Sequence, residues 1–448
     1  MTDIVQVNTR VERSATPNNL QQTLILVSAG GTNLSAGTVR EITDVTDLTP
    51  LLVFGDIVPV TNNTLITQDR PTHSLGVLPS LVPSKYGNGP VNVTLSGFSP
   101  SGWNVGPVPV ISTGGGNTYF SPAGVIPNDV ISENPTVAGQ ALFNGGNADE
   151  LLAWATTYFK TPAVPSCYVL ELGVNTPQNQ ITALATYLLD PKVAAYVYLI
   201  PATWRGVAEA VALAANYAYP QFHTYFYLGV DVGADVSAWV GKKSVVMAAN
   251  TPGQIATQSP IAAYAARIVT AQPNAAKKMT PITYSPAYGV TSLDPSAALM
   301  ATLKANRVNW IDSGAEGGLT NTILGSGVTA DNLTLNYWYA QDWGQLELDQ
   351  KIAEAVIRGA NNRISPLKYN QQGIDTLSGV IRSVINTGVT FKLFDGKYSV
   401  TAVPYKKYKV TNPADVAAGI YKGFRSDVAA LRGFDQLIFN LTVTDIPQ

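Results

Sequence analysis

The 448 residues include one cysteine, Cys167, and two histidines, His73 and His223. A lone thiol excludes an intramolecular disulfide, so stability must come from packing. None of the three lies near another in sequence, so no metal-ligand spacing can be written and Cys/His nucleophilic chemistry has little to draw on. Charge is also scarce: Asp, Glu, Lys and Arg make up 13% of the chain, against about 25% in ordinary soluble domains. A free monomer usually surrounds itself with charge, and a chain this poor in it suggests either that other subunits cover much of its surface or that the surface is built of uncharged Thr, Asn, Ser and Gln. Long apolar runs are missing too. The longest, Val193 to Ile200, stops at Pro201, far short of a membrane span. The opening residues MTDIVQVNTRVERS lack a basic start followed by an apolar stretch, which leads us to expect synthesis in the cytoplasm and no membrane insertion.

Phosphate motifs fail on inspection. Gly241-Lys242-Lys243-Ser244 has the ending of a phosphate-binding loop, but Val236 stands where the upstream glycine is required. Gly325 to Ala330 matches a dinucleotide fingerprint by letter, yet the following DNLTLNYWY reads as extended where a helix is needed. Carboxylates at Glu347, Asp349 and Glu354, or at Asp231 and Asp235, fall on amphipathic or loop positions and read as solvated faces. No catalytic, cofactor or metal residue is therefore assigned, and the chain is not expected to be an enzyme.

What is present is β-alternation at both ends and mixed α/β patterning between them. Ile4, Val5, Val7 and Val11 stand near the start, with Gln6, Asn8 and Arg10 interleaved. Leu437, Phe439, Leu441 and Val443 alternate with Asn440 and Thr442 at the end. Both read as strands with one buried face. Residues 57–147 are rich in Gly, Pro, Val, Thr, Ser and Asn and read as a small β-module inserted in a larger domain.

The middle alternates apolar strands with helices. Strands are expected at Cys167–Gly173, Val193–Ile200, Tyr225–Val230 and Ser244–Ala249, and helices at Pro177–Leu189, Trp204–Tyr217, Asp235–Val240 and Pro295–Asn306. Strands apolar on both faces imply a sheet covered on both sides. Further on, helices are expected over Asp342–Gly359 and over Gln371–Asn386, the second ended by Gly388. Strands at Val389–Leu393 and Tyr398–Val403 and an irregular basic stretch follow. The expected division is an arm over 1–20, an α/β domain over 21–56 and 148–310, the β-module over 57–147, an α+β domain over 311–436 and an arm over 437–448.

The net charge of −2 hides a gradient. Residues 1–150 hold 11 acidic and 5 basic side chains, a balance of −6, while residues 391–432 hold 3 and 8, a balance of +5. Lys406, Lys407, Lys409, Lys422 and Arg425 form the basic end, which is suited to face an acidic partner. Tyr398, Tyr405 and Tyr421 lie among them, but one cluster in an acidic chain is weak support for nucleic acid.

In the C-terminal third a family resemblance emerges. SPAYGVTSLDPSAALMATLKANRVNWI, a glycine-rich loop through Gly325, TLNYWYAQDWGQLELDQKIAEAVI with its Asp342-Trp343 pair, and ISPLKYNQQGIDTLSGVIRSVI with Gly373 before Ile374 follow in an order that resembles the contractile tail sheath proteins of bacteriophages. The resemblance implies a multidomain fold of α/β sheath core, inserted β-module and strand-forming terminal arms. It implies a structural subunit that polymerises as stacked hexameric rings around an inner tail tube, with baseplate and tail terminator proteins as further partners. It also implies arms that add strands to neighbouring subunits, contraction that drives the tube through a host envelope, no cofactor, and assembly in the bacterial cytoplasm into a virion tail. The β-module then looks like a lineage-specific decoration. The alternatives are the sheath of a related contractile injection system, or an α/β nucleotide-binding enzyme, which a pocket with convergent polar groups would reveal.

Overall fold

A computed structural model describes residues 17–53, 147–253, 257–314 and 321–432, together with the strands between Asp56 and Phe143. The chain opens with a 3-10 turn at Pro17–Gln22, then β1 (Leu24–Ser28), β2 (Val39–Ile42) and a short α1 (Val45–Leu48). Seven strands follow: β3 (Asp56–Val60), β4 (Ile66–Gln68), β5 (Leu75–Pro79), β6 (Asn92–Ser96), β7 (Val105–Gly114), β8 (Asn117–Phe120) and β9 (Gly139–Phe143). They form one antiparallel sheet of order β3-β9-β6-β7-β8-β5-β4.

After α2 (Ala148–Lys160) comes the alternating region: β10 (Cys167–Glu171), α3 (Pro177–Leu189), β11 (Val197–Ile200), α4 (Ala208–Asn216), β12 (Tyr225–Val230), β13 (Val245–Ala249), α5 (Pro260–Val269), α6 (Ala297–Ala305) and β14 (Val308–Asn309). These strands join β1 and β2 in a seven-stranded sheet, order β14-β13-β12-β11-β1-β10-β2, in which only β2 runs antiparallel to its neighbour. Helices cover both faces. Leu24 and Leu26 join the core beneath α2 and α5, while Ile25 and Val27 point to the opposite core beneath α3 and α4. Every residue of β1, β11, β12 and β13 is buried, which is why their sequences are apolar without alternation. Helix α3 starts on Pro177 with Thr176 capping the amide of Asn179, as its sequence implies.

The C-terminal third adds a two-stranded pair, β15 (Ile311–Gly314) with β16 (Asn321–Leu324), and two long helices, α7 (Leu335–Asn361) and α8 (Gln371–Thr390). Then come β17 (Phe394–Ala402), α9 (Tyr405–Thr411), α10 (Pro413–Ala417) and β18 (Phe424–Ala430), with β17 and β18 paired antiparallel.

Several local expectations are corrected. Asp235–Val240 makes one 3-10 turn, Ser237–Trp239, because glycines at 233 and 241 with φ of +84° and +85° cut the segment on both sides. Trp204 belongs to a separate turn, Ala202–Trp204, and α4 begins only at Ala208. Gly388 does not end α8. It lies inside that helix, where a Cβ would come within 2.4 Å of the Phe394 ring. The helix runs on through Thr390, so the strand expected at Val389–Leu393 is the helix end plus a left-handed Lys392 at φ +62°. The basic stretch is helical over α9. The residues read as extended before Asp342 are the first turns of α7, capped by Thr334 and pinned by buried Leu335, Trp338 and Tyr339. A helix thus does follow the Gly325 loop, and Gly325 packs against the Trp310 ring, which a Cβ there would strike. Helices α2 and α5 were not anticipated.

Candidate functional site

Among the described residues, Cys167 and His223 are both built into the packing, and His73 lies outside the described residues. Cys167 is fully buried in β10, and burial pushes its thiol well above the ordinary range. His223 lies with Nδ1 3.0 Å from Asp342 Oδ1, in a cluster that fastens α7 to the amino edge of the parallel sheet. Asp342 Oδ2 accepts from the Tyr196 hydroxyl at 2.8 Å and the Tyr225 hydroxyl at 2.7 Å, and Lys243 Nζ stands 3.5 Å from Oδ1. Burial lowers the Lys243 pKa against the opposing pull of Asp342, and burial beside the same carboxylate raises both tyrosines, which remain donors. Among the described residues no group of three or more His, Cys, Asp or Glu could hold a metal ion. No helix there is long and apolar enough to cross a membrane.

A groove with mainly apolar walls lies beneath the ribbon of β17 and β18. Phe394, at the start of β17, is wedged between α7 and α8, opposite glycines at 344 and 388 that leave room for its ring. From there the ribbon alternates. Ser399, Thr401, Arg425 and Asp427 face solvent, while Phe424, Ser426, Val428 and Ala430 turn toward the helices. They do not reach them fully. A groove of 460 Å³ separates β18 from Leu348 and Ile352 of α7 and Ile381 and Val384 of α8. Val428 remains 37% exposed although it is on the inner face. Among the described residues the ribbon has only two strands, a marginal arrangement whose outer edges pair with no third strand.

The described chain begins beside the first turns of α7 and ends beside the start of β17. The opening turn packs on α7, with Gln21 Nε2 donating to the Tyr339 carbonyl at 3.0 Å. At the other end, Leu431 N donates to the Leu393 carbonyl at 3.0 Å, beside the start of β17. The apolar positions Ile4, Val5, Val7 and Val11, and Leu437, Phe439, Leu441 and Val443, lie outside the described residues.

The five basic residues divide into two kinds. Lys406, Lys407 and Lys409 project from the exposed side of α9 with no ion pair among the described residues, beside Val410, which is 80% exposed. Lys422 is paired with Asp415 at 3.1 Å, and Arg425 with Asp427 at 3.1 Å. The Tyr408 hydroxyl and Lys422 hold Asp415 below the usual carboxylate range, as Arg425 does Asp427. The nearby tyrosines pack on one another, Tyr408 against Tyr421 at 4.6 Å between centroids, and the Tyr369 and Tyr421 hydroxyls donate to the carbonyls of Ile420 and Val403. Their rings pack against one another within the described residues. Sequence periodicity could not show the groove, because its walls come from four separate elements.

No protein-family profile matches the sequence, and no curated protein sequence matches it. Solved structures do. A chain of the cryo-EM structure of the anti-feeding prophage baseplate, six-fold symmetrised, aligns with a TM-score of 0.55 at 13% identity, covering 99% of this chain and 100% of its own. A chain of the anti-feeding prophage helical sheath in its contracted state aligns with a TM-score of 0.53 at 16% identity, covering 99% of both. The chain has the fold of a contractile sheath subunit.

Proposed function

We propose that this protein is the structural subunit of a contractile sheath, polymerising as stacked hexameric rings around an inner tube, and that it is not an enzyme. The likeness in fold over 99% of the chain carries this reading, and the ribbon beside α7 and α8, which has only two strands among the described residues, is the feature that makes polymerisation physically sensible. In the proposed assembly, the arm bearing Ile4, Val5, Val7 and Val11 or the arm bearing Leu437, Phe439, Leu441 and Val443 adds to the ribbon of a neighbouring subunit. Backbone groups of the arm pair with a free ribbon edge, and every second side chain enters the apolar groove. Such a contact is heterologous and propagates along a helix. The energy for contraction is then held in a metastable extended packing, with no need for nucleotide hydrolysis.

Lys406, Lys407 and Lys409 give the lattice a basic face toward an acidic partner, either the inner tube or the acidic half of a neighbour. Their charge sets register more than affinity. Baseplate and tail terminator proteins are the further partners of this reading, the segment over 57–147 is a peripheral decoration, and the assembled location is a virion tail or a related injection machine.

The test removes residues 1–12 and, separately, 437–448, and follows the variants by thermal melting and electron microscopy. A donated strand contributes nothing to its own monomer, so the expected outcome is a folded subunit that no longer forms tubes or rings. Truncants that still polymerise, or that fail to fold because the strand completes its own ribbon, would refute donation. A full-length protein that stays as small uniform particles in all conditions would refute the sheath itself.

A further inference from the structure

The order of the parallel sheet reverses at β1, which has β10 on one side and β11 on the other. Open α/β sheets bind ligands in the crevice beyond the strand ends at that point, commonly by wrapping backbone N–H groups of a glycine-containing turn around an anion. Here the turn is Ser28–Thr32, and an anion is already in it. The Glu171 carboxylate, from the end of β10, receives the Gly30 amide at 2.9 Å and the Gly173 amide at 2.6 Å on Oε1. Its Oε2 receives the Thr32 amide at 3.1 Å, the Thr32 hydroxyl at 2.6 Å and the Ser28 hydroxyl at 2.5 Å.

Glu171 is 1% exposed and has no ion pair among the described residues. A bare carboxylate buried in this way would be very costly, and the converging donors are what make it tolerable. Gly30 and Gly173 adopt φ of +82° and +85°, and a Cβ on Gly30 would come within 2.8 Å of Val174. The turn is therefore shaped around the anion. The same turn grips both stems of the 54–146 segment. Val53 N donates to the Gly31 carbonyl at 2.9 Å, and Asn147 bridges it by accepting from Ala29 N at 2.8 Å and donating to the Val27 carbonyl at 2.9 Å.

We propose that Ser28–Thr32 with Gly173 is an anion-binding cradle whose resident ligand is the chain's own Glu171 carboxylate, that the vacated cradle takes a free small carboxylate ion, and that the filled cradle fixes the two stems of the 54–146 segment. The position where a doubly wound sheet would hold a phosphate is occupied from within.

Glu171→Ala removes the atoms of an acetate ion, so acetate is the probe. Thermal melting of full-length Glu171→Ala and wild type is compared in sodium acetate, sodium formate and sodium chloride at equal ionic strength. The variant melts lower than wild type in chloride, acetate restores at least half of the lost melting temperature, and wild type does not respond. Acetate doing no more than chloride, or raising wild type equally, overturns the cradle. Should Glu171→Ala not fold, Glu171→Gln keeps the size but turns an amide group against the donors. Hydrogen exchange then quickens at Gly30, Thr32 and Gly173 and, through the turn, at Val53. Unchanged exchange at the first three overturns the cradle, and unchanged exchange at Val53 alone overturns its hold on the stems.

Discussion

Replacing Asp342 with Ala tests what holds α7, and with it the ribbon, onto the sheet. The carboxylate is wholly buried and serves two tyrosine hydroxyls, with Lys243 and His223 beside it. Its removal leaves the Lys243 ammonium, whose side chain is 2% exposed, without its ion-pair partner and with only the weaker pull of Asp331. Three carbonyls still accept from Lys243, of Tyr219 at 3.4 Å, Pro220 at 3.2 Å and Phe222 at 2.7 Å, and the Trp338 ring lies 4.7 Å away. They satisfy its hydrogens and not its charge. Breaking such a pair costs about 3–5 kcal/mol, and the residual carbonyl contacts place the expected loss near the lower end, about 3 kcal/mol. Adding Lys243→Met removes the stranded charge and leaves mainly the tyrosine hydroxyls unsatisfied, at about 1 kcal/mol each. The double variant should then be less damaged than the sum of the singles by roughly 1.5–3 kcal/mol. Urea unfolding of the dilute subunit reads these differences as midpoint shifts at constant slope. A loss under about 1 kcal/mol for Asp342→Ala, or strict additivity in the cycle, would refute the reasoning.

Glu150, which accepts from Ala202 N at 3.0 Å, is carried by burial from 4.5 to about 8. The folded chain thus holds a proton that the unfolded chain releases, so this contribution is complete below about pH 4.5 and is lost as pH rises through about 8, with a ceiling of about 5 kcal/mol. Glu150→Gln should flatten that part of a stability profile between pH 5 and 8, and an unchanged profile refutes it. Reversing Lys406, Lys407 and Lys409 to Glu should weaken co-sedimentation with tubes in a salt-sensitive way while leaving melting unchanged; undiminished co-sedimentation refutes the basic face. Deleting residues 57–147 with a short Gly/Ser bridge should leave a soluble, polymerising chain, since the retained Val53 and the last residue removed, Asn147, lie against the same turn after β1, so the bridge has little distance to span. Loss of polymers would place that segment in the lattice.

The sequence by itself determined the elements whose signals are local. Runs such as Tyr225–Val230 and Val245–Ala249, without a polar side chain, announce strands buried on both faces, and the segment Pro177–Leu189 announces a helix. The order of segments after Ser285 was enough for a resemblance to contractile sheaths. Signals failed where a neighbour distant in sequence decides the outcome. Gly388 reads as a helix terminator, but it is a glycine because Phe394 packs on it inside the helix. Asp342 reads as the start of a helix, and only folding makes it the acceptor for Tyr196, 146 residues away. Glu171 sits in an apolar strand with nothing local to mark it, and its partner Ser28 lies 143 residues off. The groove beneath β18 is likewise absent from any single segment. Periodicity reports how a residue relates to its near neighbours, whereas a cradle, a buried ion cluster and a groove exist only once long-range pairing has set their walls against each other.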